Sequence, residues 1–265
     1  MVRYTFRYIL ENRYDPNRTK ARIMAEKYVI MSRLSKFIAP PFVYIFLNLG
    51  ISADLITFAS IFFVLAGGAF FILGFPLFAV ISVLIFALFD SVDGDMARIV
   101  GPSRYGGVLD SFGADFFYAF IPMTSSFYLY SIGIESLFLT SGQIFLVGSL
   151  VSLTLLLYRL IEAKLTNFLG RHGNRNGQKV KEKPFMNTRG SFAHEFIVKS
   201  IFLYRHVIVR NNLFAEPALI LWISLFILLK LHTLLTYYLL FVLVYNIGYL
   251  FINFAKAYKT FLSYK

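Results

Sequence analysis

Five carboxylates and two arginines stand in the stretch DSVDGDMARIVGPSRYGGVLDSFGAD, from Asp90 to Asp115, between runs apolar enough to lie in hydrocarbon. An ionisable side chain within a membrane span is costly, so its first reading is functional. At about 100° of turn per residue, Asp90 and Asp93 lie about 60° apart on one helix, and Gly94 and Ala97 continue that face. A second helix, begun after Gly101-Pro102, carries Asp110 and Asp115. Two acid-bearing helix faces joined by a short loop suit hard divalent cations such as Mg2+ or Mn2+, which take oxygen ligands. Gly94 and Ala97 leave backbone open to a bulky ligand, and Arg98 is a fixed cation matched to phosphate oxygens. Asp95 falls about 140° from Asp90 and is expected to point away, as a headgroup-level or loop-pairing residue.

The pattern D-x-x-D-G-x-x-A-R at Asp90, Asp93, Gly94, Ala97 and Arg98, followed by glycines and further aspartates, resembles the signature of the CDP-alcohol phosphotransferases (CDP-alcohol phosphatidyltransferases), integral membrane enzymes of phospholipid synthesis. The phrase LNLGISADLITFAS, from Leu47 to Ser60, is similar to the start of that family's first span. The resemblance implies transfer of a substituted phosphate from a CDP-alcohol, such as CDP-diacylglycerol or a similar CDP-lipid, to a hydroxyl acceptor, with release of CMP. It also implies Mg2+ or Mn2+ as cofactor and a homodimer. By the same resemblance Asp90, Asp93 and Asp110 are metal ligands, and Asp115 is the general base and a further ligand. Asp90, Gly94, Ala97, Arg98, Gly106 and Gly107 then form the nucleotide seat.

The second half of the signature departs from the family's spacing, R-x8-G-x3-D-x3-D. Aligned without gaps it selects Gly107, Ser111 and Asp115, and shifted by one it selects Gly106, Asp110 and Ala114. Keeping Asp110 and Asp115 as the pair requires a local irregularity such as a π-bulge, because five residues on a regular helix diverge by about 140°. Gly113 between them would ease that distortion. The other reading gives the third position to Ser111, in an altered or inactive enzyme.

The elements that must hold these residues are membrane helices. The chain has 265 residues, 58% of them hydrophobic, with a mean hydropathy of +0.67. We expect an all-α, polytopic integral membrane protein with six transmembrane helices plus an N-terminal interfacial amphipathic helix. Residues 1–51 read as a cytosolic tail and juxtamembrane amphipathic helix, the latter interrupted at Pro40-Pro41. Residues 52–256 read as the six-helix catalytic domain and residues 257–265 as a second cytosolic tail. The spans are expected near 53–74, 77–99, 106–130, 141–161, 213–230 and 233–255, with Ser52 capping the first. The basic segment 170–210 separates the fourth from the fifth. The charged first 50 residues lack the apolar core of a cleavable signal. Without cysteine there is no disulfide or thiolate chemistry.

The net charge of +12 raises the possibility of nucleic acid, but its distribution argues for a membrane surface instead. Of the 26 lysines and arginines only Lys230 falls in a loop on the far side of the spans. The positive-inside rule therefore puts both termini and the acidic site in the cytosol, at a bacterial or archaeal cell membrane or a eukaryotic endomembrane. Arg104, Arg159, Lys164, Arg205 and Arg210 lie near that boundary and could bind an anionic acceptor such as a phosphorylated polyol, or serve simply as positive-inside anchors. His194-Glu195 begins like a zinc-protease motif, but Val198 stands where its second histidine is needed. An aspartate-rich membrane prenyltransferase needs a second acidic motif in the later spans, where residues 200–265 hold only Glu216. A cation transporter or channel would spread its acids across several spans instead of gathering them beside Arg98.

Overall fold

The computed structural model describes residues 4–14, 29–101, 103, 105–173 and 216–263. Among these residues the chain is all-helical, without a strand. In order the helices are α1 (Phe6–Asn12), α2 (Ile30–Asn48), α3 (Ala53–Ile72), α4 (Pro76–Val100), α5 (Gly106–Ser131), α6 (Ser141–Gly173), α7 (Glu216–Leu228) and α8 (His232–Ser263). Ser52 caps α3, its Oγ accepting from the Leu55 amide at 3.3 Å. Pro76 opens α4, a position where its missing N–H costs nothing. Gly50, Gly74, Gly101 and Gly133 end successive helices at φ between 69° and 97°. Glycine alone adopts that conformation cheaply, so the chain reverses within a few residues each time.

Among the described residues five helices are long and apolar enough to cross a membrane: α2, α3, α4, Ser141–Ile161 of α6 and His232–Phe251 of α8. The expected count of six is compatible with this but composed differently. Helix α2 qualifies by length and composition, although an interfacial role was expected for it. Pro40 and Pro41 do not interrupt it and lie within one continuous helix. Helix α5 is 26 residues long, but its glycines, hydroxyls, Asp110 and Asp115 dilute its hydropathy, and it is not among the five. In α7 the apolar part, Ala218–Leu228, is shorter than a full span. Helix α6, at 33 residues, is about 50 Å long against about 30 Å of hydrocarbon, so it carries on past the bilayer boundary.

Packing decides where the acids meet. Helix α3 is the central strut, with α4 and α5 both packed along it and touching each other only slightly. Gly67 lets α3 and α4 approach so closely that a Cβ there would stand 2.9 Å from Val83 Cγ2. Gly148 does the same for α6 on α5, where a Cβ would stand 2.7 Å from the Pro122 carbonyl oxygen. In lipid, where apolar burial offers little driving force between helices, such small-residue contacts let backbones pack closely. Stacked Phe86 and Phe117, with centroids 5.6 Å apart, pin α4 to α5 below the acids. Helices α6, α7 and α8 close the other side of the core around Ile144, Leu219, Ile223, Leu235 and Leu239.

Candidate functional site

The last turns of α4 and the first turns of α5 bring Asp90, Asp93 and Asp110 together, one carboxylate oxygen from each lying within 4.8 Å of the others. Asp93 is buried, whereas Asp90 and Asp110 are exposed at the rim. Divalent magnesium at about 2.1 Å from each oxygen would hold its ligands about 3–4.2 Å apart, so the three fit with a small inward closure. Thr57 on α3 donates a 2.6 Å hydrogen bond to Asp93 Oδ2, and both side chains are buried. That bond fixes the orientation of the one carboxylate of the three that is out of solvent.

Asp115 does not join this cluster. The signature reading made it a fourth ligand and asked for a π-bulge to turn it inward. Instead α5 is regular α-helix from Gly106 to Ser131. Once Asp110 faces α4, a position five residues on is rotated by about 140°, which turns Asp115 toward α6. There its carboxylate accepts from Arg159 Nε. Arg159 also donates through Nη2 to the Ser111 carbonyl at 3.2 Å and lies over the Tyr118 ring at 5.5 Å. The Ser111 side chain is exposed, and it is Asp110 that stands with Asp90 and Asp93.

The expected nucleotide seat lies beside the triad. Arg98 folds back over Gly94, where an added Cβ would meet its Nη2 at 3.3 Å. Ala97 is half-buried on the same helix. Gly106 opens α5, its amide donating to Ser103 Oγ at 2.7 Å while Ser103 donates to Asp54 Oδ1 at 2.7 Å. This chain of bonds ties the α4–α5 loop to the first turn of α3. A Cβ at Gly107 would meet nothing within 4 Å, so that flank is open.

Asp95 points away from Asp90 as expected, and it pairs both with Arg13, at the bend just past α1, and with helix residues. It is fully buried, accepting from Lys36 of α2 and from Arg98 Nη1 at 2.5 Å, with Arg13 Nε at 3.2 Å. Lys164 is exposed on α6, and Arg104, Arg205 and Arg210 lie outside the described residues. Sequence reasoning missed Thr57, Asp54, Ser103, Arg13 and Lys36. Only Thr57 left a usable signal, since with Ser60 it is a hydroxyl pair three residues apart on one face of an apolar span.

A family model described as CDP-alcohol phosphatidyltransferase matches residues 50–181. No curated protein and no solved structure gives a significant match.

Proposed function

Because the chain belongs, through residues 50–181, to the CDP-alcohol phosphatidyltransferase family, we propose that it transfers the substituted phosphate of a CDP-linked lipid, such as CDP-diacylglycerol, to the hydroxyl of a phosphorylated polyol, releasing CMP. Membership itself makes it a membrane transferase acting on a CDP-alcohol. The observation that carries the metal reading is the meeting of three carboxylate oxygens within 4.8 Å. In this reading Asp90, Asp93 and Asp110 hold a divalent ion, Mg2+ or Mn2+. Such an ion, when bound, neutralises charge on the diphosphate.

The chain's own residues supply the rest. Asp90 and Arg98 address the phosphates, while Gly94, Ala97, Gly106 and Gly107 line the nucleotide seat, with Gly107 leaving its flank open. A bond forms between the acceptor oxygen and the phosphorus bearing the lipid, and the bond from that phosphorus to CMP breaks. The acceptor proton goes to Asp115 as general base. Arg159, held at Asp115 and steadied over Tyr118, favours an acceptor with a phosphate of its own. That phosphate competes for the guanidinium and frees Asp115 for the hydroxyl proton. Lys164, Arg104, Arg205 and Arg210 complete the proposed acceptor set from sequence position. In this reading the positive-inside rule argues for a cytosolic site, and the family resemblance argues for a homodimer.

The test is CMP release from CDP-diacylglycerol by membranes carrying the chain, with and without Mg2+, against glycerol phosphate, inositol phosphate, choline and ethanolamine. We expect metal-dependent release, faster with the two phosphorylated acceptors. If a panel of CDP-linked donors gave no metal-dependent CMP with any acceptor, the proposal would be wrong.

A further inference from the structure

No step of the proposed transfer uses the cluster around Asp95. Its carboxylate is 1% exposed, and it gathers cations from three separate elements. Arg13 is the C-cap just past α1, Lys36 lies in α2, and Arg98 lies one turn on in α4. Two further bonds lock the group. Arg13 Nη2 donates to the Lys36 carbonyl oxygen, and Arg98 Nη1 donates to the Arg13 carbonyl oxygen at 3.4 Å. Arg98 Nη1 is thus fixed between a carboxylate of its own helix and a backbone oxygen of the N-terminal arm. Its Nη2 is consequently turned over Gly94. Gly94 follows Asp90 by four residues and shares its helix face to within about 40°, so that nitrogen is presented on the face of the acidic triad.

We infer that Asp95, Arg13 and Lys36 are positioning residues that set the Arg98 guanidinium for the phosphates of the CDP-linked donor, so that the N-terminal arm completes the donor seat. Arginine bonds phosphate through a rigid planar fork, so its direction matters as much as its charge. A long side chain left to itself samples many rotamers. Anchoring one nitrogen of the fork removes that freedom before the donor arrives. The carboxylate has enough lone pairs for all three cations, and Arg13 of the arm and Lys36 of α2 both reach it. This inference rests on the reading of Arg98 as part of the donor seat.

CDP is the probe, because every CDP-linked donor contains it whatever the alcohol. Its dissociation constant is measured with Mg2+ by titration calorimetry on the purified full chain in detergent. Arg98→Ala is the reference and is expected to weaken CDP at least about tenfold. Asp95→Asn, Arg13→Ala and Lys36→Met are each expected to weaken CDP by about tenfold when Arg98 is present. Placed on Arg98→Ala they are expected to add less than about twofold, because they act through that side chain. A purely structural role would lower yield or melting temperature, leave the affinity of the folded fraction alone, and not depend on Arg98. If Asp95→Asn does not fold, the other two variants answer the same question with the carboxylate in place. Unchanged CDP affinity in the three variants, beside a loss in Arg98→Ala, overturns the positioning role. Unchanged affinity in Arg98→Ala itself overturns the donor-seat reading, and the inference with it.

Discussion

Thr57 reaches Asp93 from inside an apolar helix, with a 2.6 Å hydrogen bond between two buried groups. Replacing it by valine keeps the volume and removes the donor, which leaves a buried carboxylate oxygen short of a partner. Groups that orient metal ligands typically contribute about 10–100-fold to affinity or activity. We therefore predict that Thr57→Val lowers turnover by about that factor and raises the Mg2+ concentration for half-maximal rate. Normal metal dependence in a folded Thr57→Val protein would remove Thr57 from the site. Asp93→Asn is expected to abolish turnover while the protein still inserts and folds, as judged by its elution in detergent; retained activity would contradict the metal role. Ser111→Ala should change the rate less than about threefold, since its side chain faces out and Asp110 stands in the cluster. Complete loss of activity would restore Ser111 to the third position of the signature. What was readable at this scale lay within one helix. Asp90, Asp93, Gly94 and Ala97 keep fixed angles to one another whatever the rest of the chain does. The choice between Asp110 and Asp115 depends on the register of α5 against α4, which a loop of uncertain alignment does not encode. The partners of Asp95 were beyond reach for a similar reason. Arg13 and Lys36 precede it by 82 and 59 residues and meet it only through packing of α1 and α2.

At the scale of elements, hydropathy located the helices, and local composition misled at one break within them. The pair Pro40-Pro41 reads as a break, but Pro40 packs inward beside Ala39 and Val43 and the helix runs through. Neighbouring helices re-satisfy backbone groups that proline frees, so tertiary contact overrides the local preference. Helix α5 shows the converse. Its polar content makes it a poor span by composition, and packing against α3 and α6 accommodates that content. Gly148 measures how tight this packing is, because a Cβ there would lie 2.4 Å from Ser126 Cβ and 2.7 Å from a backbone oxygen. Neither obstacle is the far end of a flexible side chain, so α5 and α6 must separate. Overpacking of this kind costs about 1–3 kcal/mol, and Gly148→Ala should lower the melting temperature in detergent by several degrees. Gly107→Ala, where a Cβ meets nothing within 4 Å, is the matched control for stability and should leave it unchanged. Equal melting temperatures for the two variants would show that the α5–α6 crossing has slack.

For the whole molecule the remaining question is which way the bundle faces. Positive charge argues that the acidic site is cytosolic, and the fold allows that argument to be tested with two labels. Arg13 docks on Asp95 at the site end of α4, so exposed Asn12 beside it reports the side of the site itself. Leu137, 82% exposed in the link between α5 and α6, reports the other end. The α7–α8 turn shares that far end, because His232 stacks edge-on against Tyr128 near the close of α5, with centroids 6.0 Å apart. Lys230, the cation set apart by the charge count, sits in that turn. The chain has no cysteine, so Asn12→Cys and Leu137→Cys can each be made without background. Intact cells treated with a membrane-impermeant maleimide should label Leu137→Cys at once and Asn12→Cys only after permeabilisation. Labelling in the reverse order would place the acids outside, away from cytosolic CDP-linked donors, and the charge argument would fail while the fold stood. Labelling of both from outside would mean an even number of crossings between residues 12 and 137, and the reading in which α3, α4 and α5 cross while α2 does not would have to be replaced.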